Sequence, residues 1–188
     1  MRTVASFIFT SLDGFYEGQN GEIDWPAIDA EFSKFAADQL DEFDAIGFGR
    51  ATYDHMAAYW PTEQAEVNDP AITSRMNEKT KFVFSRSATR ASWSGSVVVH
   101  GEATELLPTI EAGSDKDLLI LGSAELTAEL AQAGLLDELR IMICPVLLGQ
   151  GRSLFEGLRG RVSLTLLGVR QLGSGNLVLT YRPLPPGN

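Results

Sequence analysis

Apolar and polar residues alternate through residues 3–12, TVASFIFTSL, a run rich in β-branched and aromatic side chains that predicts a strand. Asp13-Gly14 breaks it, and Asn20-Gly21 turns the loop that follows. Over residues 29–41, Phe32, Phe35, Ala36 and Leu40 recur near helical spacing and predict an amphipathic helix. The short apolar run 43–48 reads as a buried strand, as do 81–87 and 96–101. DLLILGS, 117–123, is continuous and bounded by charge and glycine, as expected of a central parallel strand. Helices are predicted between these strands. They run over 52–59, stopped by Pro61; over 70–79, opened by Pro70; over 102–112 despite Pro108; and over 124–134, closed by Gly134. Residues 138–148 form a strand in which Pro145 marks a bulge or an end. Residues 162–172 and 176–182 alternate around Gly173-Ser-Gly175 as a hairpin, and the tail 183–188 is expected to fray.

Strands and helices thus alternate to about residue 134, with an antiparallel β region after it. That order predicts one α/β domain over residues 1–188, a mainly parallel sheet extended by a C-terminal antiparallel hairpin. Charge narrows the partners. A formal net charge of -10 with no Lys/Arg cluster makes a nucleic-acid backbone an unsuitable ligand. No apolar run approaches the roughly 20 residues needed to cross a bilayer. The N-terminal apolar run alternates like a strand and lacks a small-residue cleavage site, so it is not read as a signal peptide. The single cysteine, Cys144, excludes an intrachain disulfide, fits a cytoplasmic location and reads as a small buried hydrophobe. With two histidines, His55 and His100, no metal site is expected.

In an open parallel sheet, ligands bind beyond the carboxyl ends of the strands. Those ends carry Ser11-Leu-Asp13-Gly14, Gly49-Arg50-Ala-Thr52, Ser85-Arg86-Ser87 and Leu121-Gly122-Ser123. Gly47-x-Gly49 matches half of a dinucleotide fingerprint, but Thr52 stands where a third glycine is needed. A different way of holding phosphate fits better. Helix starts offer free N–H groups and a positive dipole end, glycine admits a phosphate to the backbone, and Thr52 and Ser123 add hydroxyls. Arg50 and Arg86 each present a planar fork suited to phosphate. Two such helix starts could hold a pyrophosphate, with Ser85 and Arg86 on a separate ribose phosphate. Each turn alone has a structural explanation as ordinary N-capping, and only their combination favours a nucleotide. Gly47 is then a close-packing residue.

"SLDGF" (11–15), "GRATY" (49–53), "FVFSRS" (82–87), "LILGSAEL" (119–126) and "AGLLDELRIMICPVLLGQGRSLF" (133–155) together resemble the dihydrofolate-reductase-like family. They resemble more closely its branch related to the reductase domain of bacterial riboflavin biosynthesis, the RibD C-terminal domain family. The resemblance implies a three-layer fold with a mostly parallel sheet of about eight strands, NADPH as cofactor, and a homodimer. It places Gly49, Arg50 and Thr52 on one side of the pyrophosphate, and Gly122, Ser123 and the following residues Ala124 and Leu126 on the other, next to Leu121. Ser85, Arg86 and Ser87 would meet the adenosine ribose and its 2′-phosphate, and Ser11, Asp13 and Gly14 would flank the nicotinamide. The zinc signature of the companion deaminase is absent from the chain.

The implied activity is hydride transfer from NADPH to a small heterocycle of pterin or pyrimidine type. Asp29 is the first candidate proton donor and Glu31 the second, although acids near a helix start are also favoured by the helix dipole. Trp25 and Trp60 either line a pocket for a planar substrate or simply pack. The Asp13–Trp25 loop and the turn at 149–152 are candidate covers. A non-catalytic NADP(H)-binding or ligand-sensing protein on the same fold is the alternative.

Overall fold

Alternation along the first strand decides the layers. In the computed structural model, which describes residues 3–87, 90–112 and 117–185, β1 (Val4–Ser11) sends Ala5 and Phe7 to one face of the sheet and Val4 and Ile8 to the other. Eight strands form that sheet in the order β5 (Ser96–His100), β4 (Thr80–Ser85), β3 (Ala45–Gly49), β6 (Leu118–Leu121), β1, β7 (Glu138–Cys144), β10 (Leu177–Pro183) and β9 (Leu164–Gln171). The first six run parallel, so their carboxyl ends share one edge. The expectation of an antiparallel region beginning after residue 134 needs correction. β7 pairs in parallel with β1, and within this sheet only the pairings of β10 with β7 and β9 among the described residues are antiparallel. The helix before β7 acts as a crossover that returns the chain in the original direction, as parallel pairing requires.

One face is covered by α1 (Ala30–Glu42), α2 (Arg50–Tyr59) and α4 (Pro70–Glu78), which bury Phe32, Phe35, Leu40, Tyr53, Ile72 and Met76. The other is covered by α5 (Ala103–Ala112) and α6 (Ala124–Ala133) through Leu107, Leu126 and Leu130. The helical spacing of α1 therefore marks its buried face correctly. Its N-cap Asp29 accepts a hydrogen bond from the Phe32 amide at 2.7 Å. α6 ends where Gly134 turns left-handed (φ 71°) and the Leu135 amide bonds the Leu130 carbonyl. Pro108 does not interrupt α5, because Ala103 and Leu107 are both buried and tertiary packing outweighs the local penalty. Pro145 ends β7 at Cys144. The tail at 186–188 lies outside the described residues.

Two features escape the periodicity. A short helix, α3 (Glu63–Asn68), begins two residues after Pro61, capped by the Thr62 hydroxyl. A separate two-stranded ribbon joins β2 (Phe15–Glu17) to β8 (Arg152–Ser153) and binds the two candidate covers to each other. Both are too short for an apolar period to register.

Candidate functional site

The carboxyl edge of β3, β4, β5 and β6 opens into a pocket of about 330 Å³. Gly49, Arg50, Thr52, Ser85, Arg86, Ser123, Ala124 and Leu126 all line it. The sequence names these from three distant segments, and the parallel sheet brings them to one place.

Two strand-to-helix junctions are stitched together at its floor. The Ser123 hydroxyl accepts from the Gly49 amide at 2.9 Å and donates to the Leu121 carbonyl at 3.0 Å. The Thr52 hydroxyl accepts from the Ser123 amide at 3.1 Å. Gly122 (φ 56°) and Ser123 (φ 55°) are both left-handed, and Ser123 is the one non-glycine residue with positive φ among the described residues. A Cβ on Gly122 would come within 3.1 Å of the Thr52 Cγ2, so glycine is favoured there both by conformation and by space. Gly49 has no side chain with which to cap α2, and the Ser123 hydroxyl is spent on this stitch and so does not cap α6. The N-termini of α2 and α6 therefore open on the pocket with side-chain caps missing from both.

Three arginines line the pocket, and each has a carboxylate partner. Arg50 pairs with Asp54 at 2.8 Å and donates to the Arg90 carbonyl at 3.0 Å. Arg86 pairs with Glu102 at 2.7 Å and lies 3.8 Å from Glu129, and the Glu102 hydrogen bond raises its pKa further. Arg152 reaches Glu17 at 2.8 Å and Glu125 in the first turn of α6 at 2.6 Å, and stacks over Tyr16. Arg152 thus fastens the β2–β8 ribbon across the helix start. Sequence reasoning placed Arg152 only in a covering turn and missed Tyr16, Glu17, His55, Glu102, Glu125 and Glu129 as lining residues. Glu102 was within reach, since it follows the end of β5 as Arg50 follows that of β3.

The remaining candidates lie elsewhere. Ser11, Asp13 and Gly14 form a knot beside the pocket. The Ser11 hydroxyl donates to Asp13 at 2.7 Å, and the Leu148 and Gly149 amides donate to the same carboxylate at 3.1 and 2.8 Å. The Ser11 contact, against desolvation and with those amides, holds the Asp13 carboxyl below its usual range. The Ser87 amide donates to the Ser85 hydroxyl, and Leu121 packs at the core margin. Asp29 and Glu31 do not line the pocket. Both face the β9–β10 turn, where Glu31 accepts the Gly173 amide at 2.6 Å and Asp29 lies 3.9 Å from the position of a Gly173 Cβ. The Phe32 amide holds the Asp29 carboxyl low. Trp25 and Trp60 pack on the core with their indole N–H groups on the Glu22 carbonyl and the Met56 sulfur.

Comparison with known proteins agrees with this architecture. The RibD C-terminal domain family matches residues 2–178. YyaP of Bacillus subtilis, an uncharacterised protein, is 29% identical over 180 residues, covering 96% of this chain and 94% of its own. A candidate riboflavin biosynthesis protein of Shewanella sp. PV-4 superposes with a TM-score of 0.75 at 22% identity, over 97% of this chain and 99% of that one. Dihydrofolate reductase of Enterococcus faecalis, solved with NADP(H), gives 0.65 at 15% identity, over 96% of each chain.

Proposed function

We propose that this chain, which belongs to the RibD C-terminal domain family, is an NADPH-dependent reductase that delivers hydride to a small pterin- or pyrimidine-like heterocycle. One observation carries the reading: two helix starts without side-chain caps and three arginines converge on one pocket at the carboxyl edge of a parallel sheet. That donor set fits the phosphates of a dinucleotide. The amides at the starts of α2 and α6 suit the pyrophosphate, and Ser85 with Arg86 suits a phosphate on the adenosine ribose. Bound NADPH supplies the hydride, while the chain fixes the cofactor and excludes water through the β2–β8 ribbon held by Arg152.

A non-catalytic nucleotide-binding role is the second reading, and one observation favours it. Both candidate proton donors are occupied structurally, Asp29 as a helix cap and Glu31 on the hairpin turn. Titration of NADPH and NADH followed by nucleotide fluorescence separates the possibilities. The reductase reading expects NADPH binding and its oxidation by a member of a pterin, flavin-precursor and quinazoline panel. Binding without oxidation supports the sensor, and no binding of either nucleotide overturns both. Replacing Arg86 by Ala should weaken NADPH more than NADH, and equal weakening removes Arg86 from the 2′-phosphate.

We further propose that two copies of the chain, acting in the cytoplasm, pair through the β9–β10 face. A register shift between Thr180 and Tyr181 leaves Leu167 as an extra residue in β9. This puts Leu164, Leu166 and Val169 on the same face as Leu177, Leu179 and Tyr181, and of these Leu164, Leu166, Val169 and Leu177 are exposed. Residues 157–188 contain four arginines and no Asp or Glu, in a chain of net charge -10. Two such acidic chains meet with least repulsion there.

A further inference from the structure

The environment of Arg86 does not look like a preformed phosphate clamp. Arg86 follows β4 and Glu102 follows β5, and parallel pairing of these strands carries the two side chains to the same edge. Gly101 (φ 125°) turns the chain between β5 and α5 and places Glu102 at the mouth of the pocket. Its carboxylate then takes Arg86 at 2.7 Å, with Glu129 of α6 behind it at 3.8 Å. A phosphate arriving at Arg86 meets a guanidinium already occupied and two carboxylates of its own sign. A ribose hydroxyl arriving at the same place meets an acceptor. In dinucleotide sites generally, an acidic side chain accepting from the 2′-hydroxyl favours the unphosphorylated ribose and an arginine favours the phosphorylated one.

We propose that Glu102 sets the choice between a 2′-phosphate and a 2′-hydroxyl on the adenosine ribose. It competes with the phosphate for Arg86 and accepts a hydrogen bond from the free hydroxyl, so the native site prefers NADPH over NADH only narrowly. The inference rests on the nucleotide reading above. The pair is solvent-exposed on both sides, 69% for Arg86 and 47% for Glu102, so exchange of one anion for another is accessible and the effect is modest. Glu129, at the longer distance, plays the same part more weakly.

The test measures affinity rather than turnover. NADPH, NADH, 2′,5′-ADP and 5′-AMP are titrated into the wild type and into Glu102→Gln and Glu129→Gln by calorimetry. Glu102→Gln is expected to tighten NADPH and 2′,5′-ADP by about two- to fivefold, within the range of an exposed ion pair. NADH and 5′-AMP should stay the same or weaken, and Glu129→Gln should show the same pattern with smaller amplitude. A merely structural Glu102 would shift all four ligands alike. Equal changes, or no gain for the 2′-phosphorylated ligands, overturn the proposal while leaving the nucleotide site standing. If the wild type binds none of the four, the nucleotide reading fails and this inference fails with it.

Discussion

Gly47 offers the sharpest test of how this edge of the sheet is built. It lies in β3 between Ile46 and Phe48, both fully buried, and its α-carbon faces the α5–α6 side of the sheet. A Cβ built there would overlap the Cδ1 methyl of Ile120 in β6, and would sit 3.5 Å from Phe84 Cε2 and 3.6 Å from Leu118 Cδ1. Phe84 and Leu118 contacts are ordinary; only the Ile120 methyl must move. Overpacking by one methyl in a well-filled core costs about 1–3 kcal/mol, so Gly47→Ala should lower stability by that amount. For a chain of this length that is a drop of about 2–4 °C in Tm per kcal/mol. Ile120→Val removes the obstructing methyl and alone should cost about 0.5–1.5 kcal/mol. In the double variant the new methyl occupies the space the old one leaves. It should therefore be more stable than Gly47→Ala alone, with a favourable coupling of about 0.5 kcal/mol or more. Urea titration of the four proteins measures this cycle. Strictly additive costs would refute the close-packing account of Gly47. Weakened nucleotide binding by the well-folded double variant would restore its fingerprint role.

At Ser123, Ala keeps the left-handed strain and removes both hydroxyl bonds, at about 1–3 kcal/mol, whereas Gly removes the same bonds but relieves the strain. Ser123→Ala should thus unfold at lower urea than Ser123→Gly, and the reverse order would contradict the stitch described here. Lys81 is fully buried, donates to the carbonyls of Asn77, Lys79 and Ser94, and is pushed by burial down to about 8. Replacing it with Met should cost about 1–3 kcal/mol at pH 7 by leaving those carbonyls without their donor. An unfolded lysine titrates near 10.4, so between pH 8 and 10 the unfolded chain holds the extra proton and stability rises with pH. The stability gap between wild type and Lys81→Met should widen over that window; a flat or narrowing gap would refute the assignment. Val169→Glu on the β9 face should yield a monomer by sedimentation with unchanged NADPH affinity, and retention of a dimer would move the interface elsewhere.

The fold is legible in the sequence wherever burial imposes a period. α1 announces its inner face through Phe32, Phe35 and Leu40, and β6 announces a central position by having no polar residue over Leu118–Leu121. Direction is harder to read. β7 and the C-terminal hairpin both alternate, yet one pairs in parallel and the other does not, because direction depends on the intervening crossover rather than on side chains. The β2–β8 ribbon is less legible still, since two or three residues on each side carry no period and their partners lie far apart in the chain.

At the site, the same physics divides what the sequence displays from what it hides. Gly49-Arg50-x-Thr52 and Gly122-Ser123 are readable because the requirement that selects them is local: a strand must turn sharply into a helix. Even so, their hydroxyls serve the protein before any ligand. Thr52 and Ser123 bond each other's junctions, and that use of Ser123 leaves the start of α6 uncapped beside α2, whose N-cap is the side-chain-less Gly49. The arginines are readable as residues but not as states. Nothing near Arg86 in the chain indicates Glu102 as its partner, sixteen positions away, and Asp13 finds the Leu148 and Gly149 amides from across almost the whole sequence. A phosphate-binding motif read from sequence alone therefore overstates its free positive charge. Here each arginine of the pocket enters binding already neutralised, so affinity depends on what a ligand offers beyond the carboxylate it displaces. On the nucleotide reading proposed above, a pyrophosphate would add the amides of α2 and α6 to that exchange. On the same reading a lone 2′-phosphate would add much less, so the ribose end, rather than the pyrophosphate, would be the part that a single carboxylate retunes.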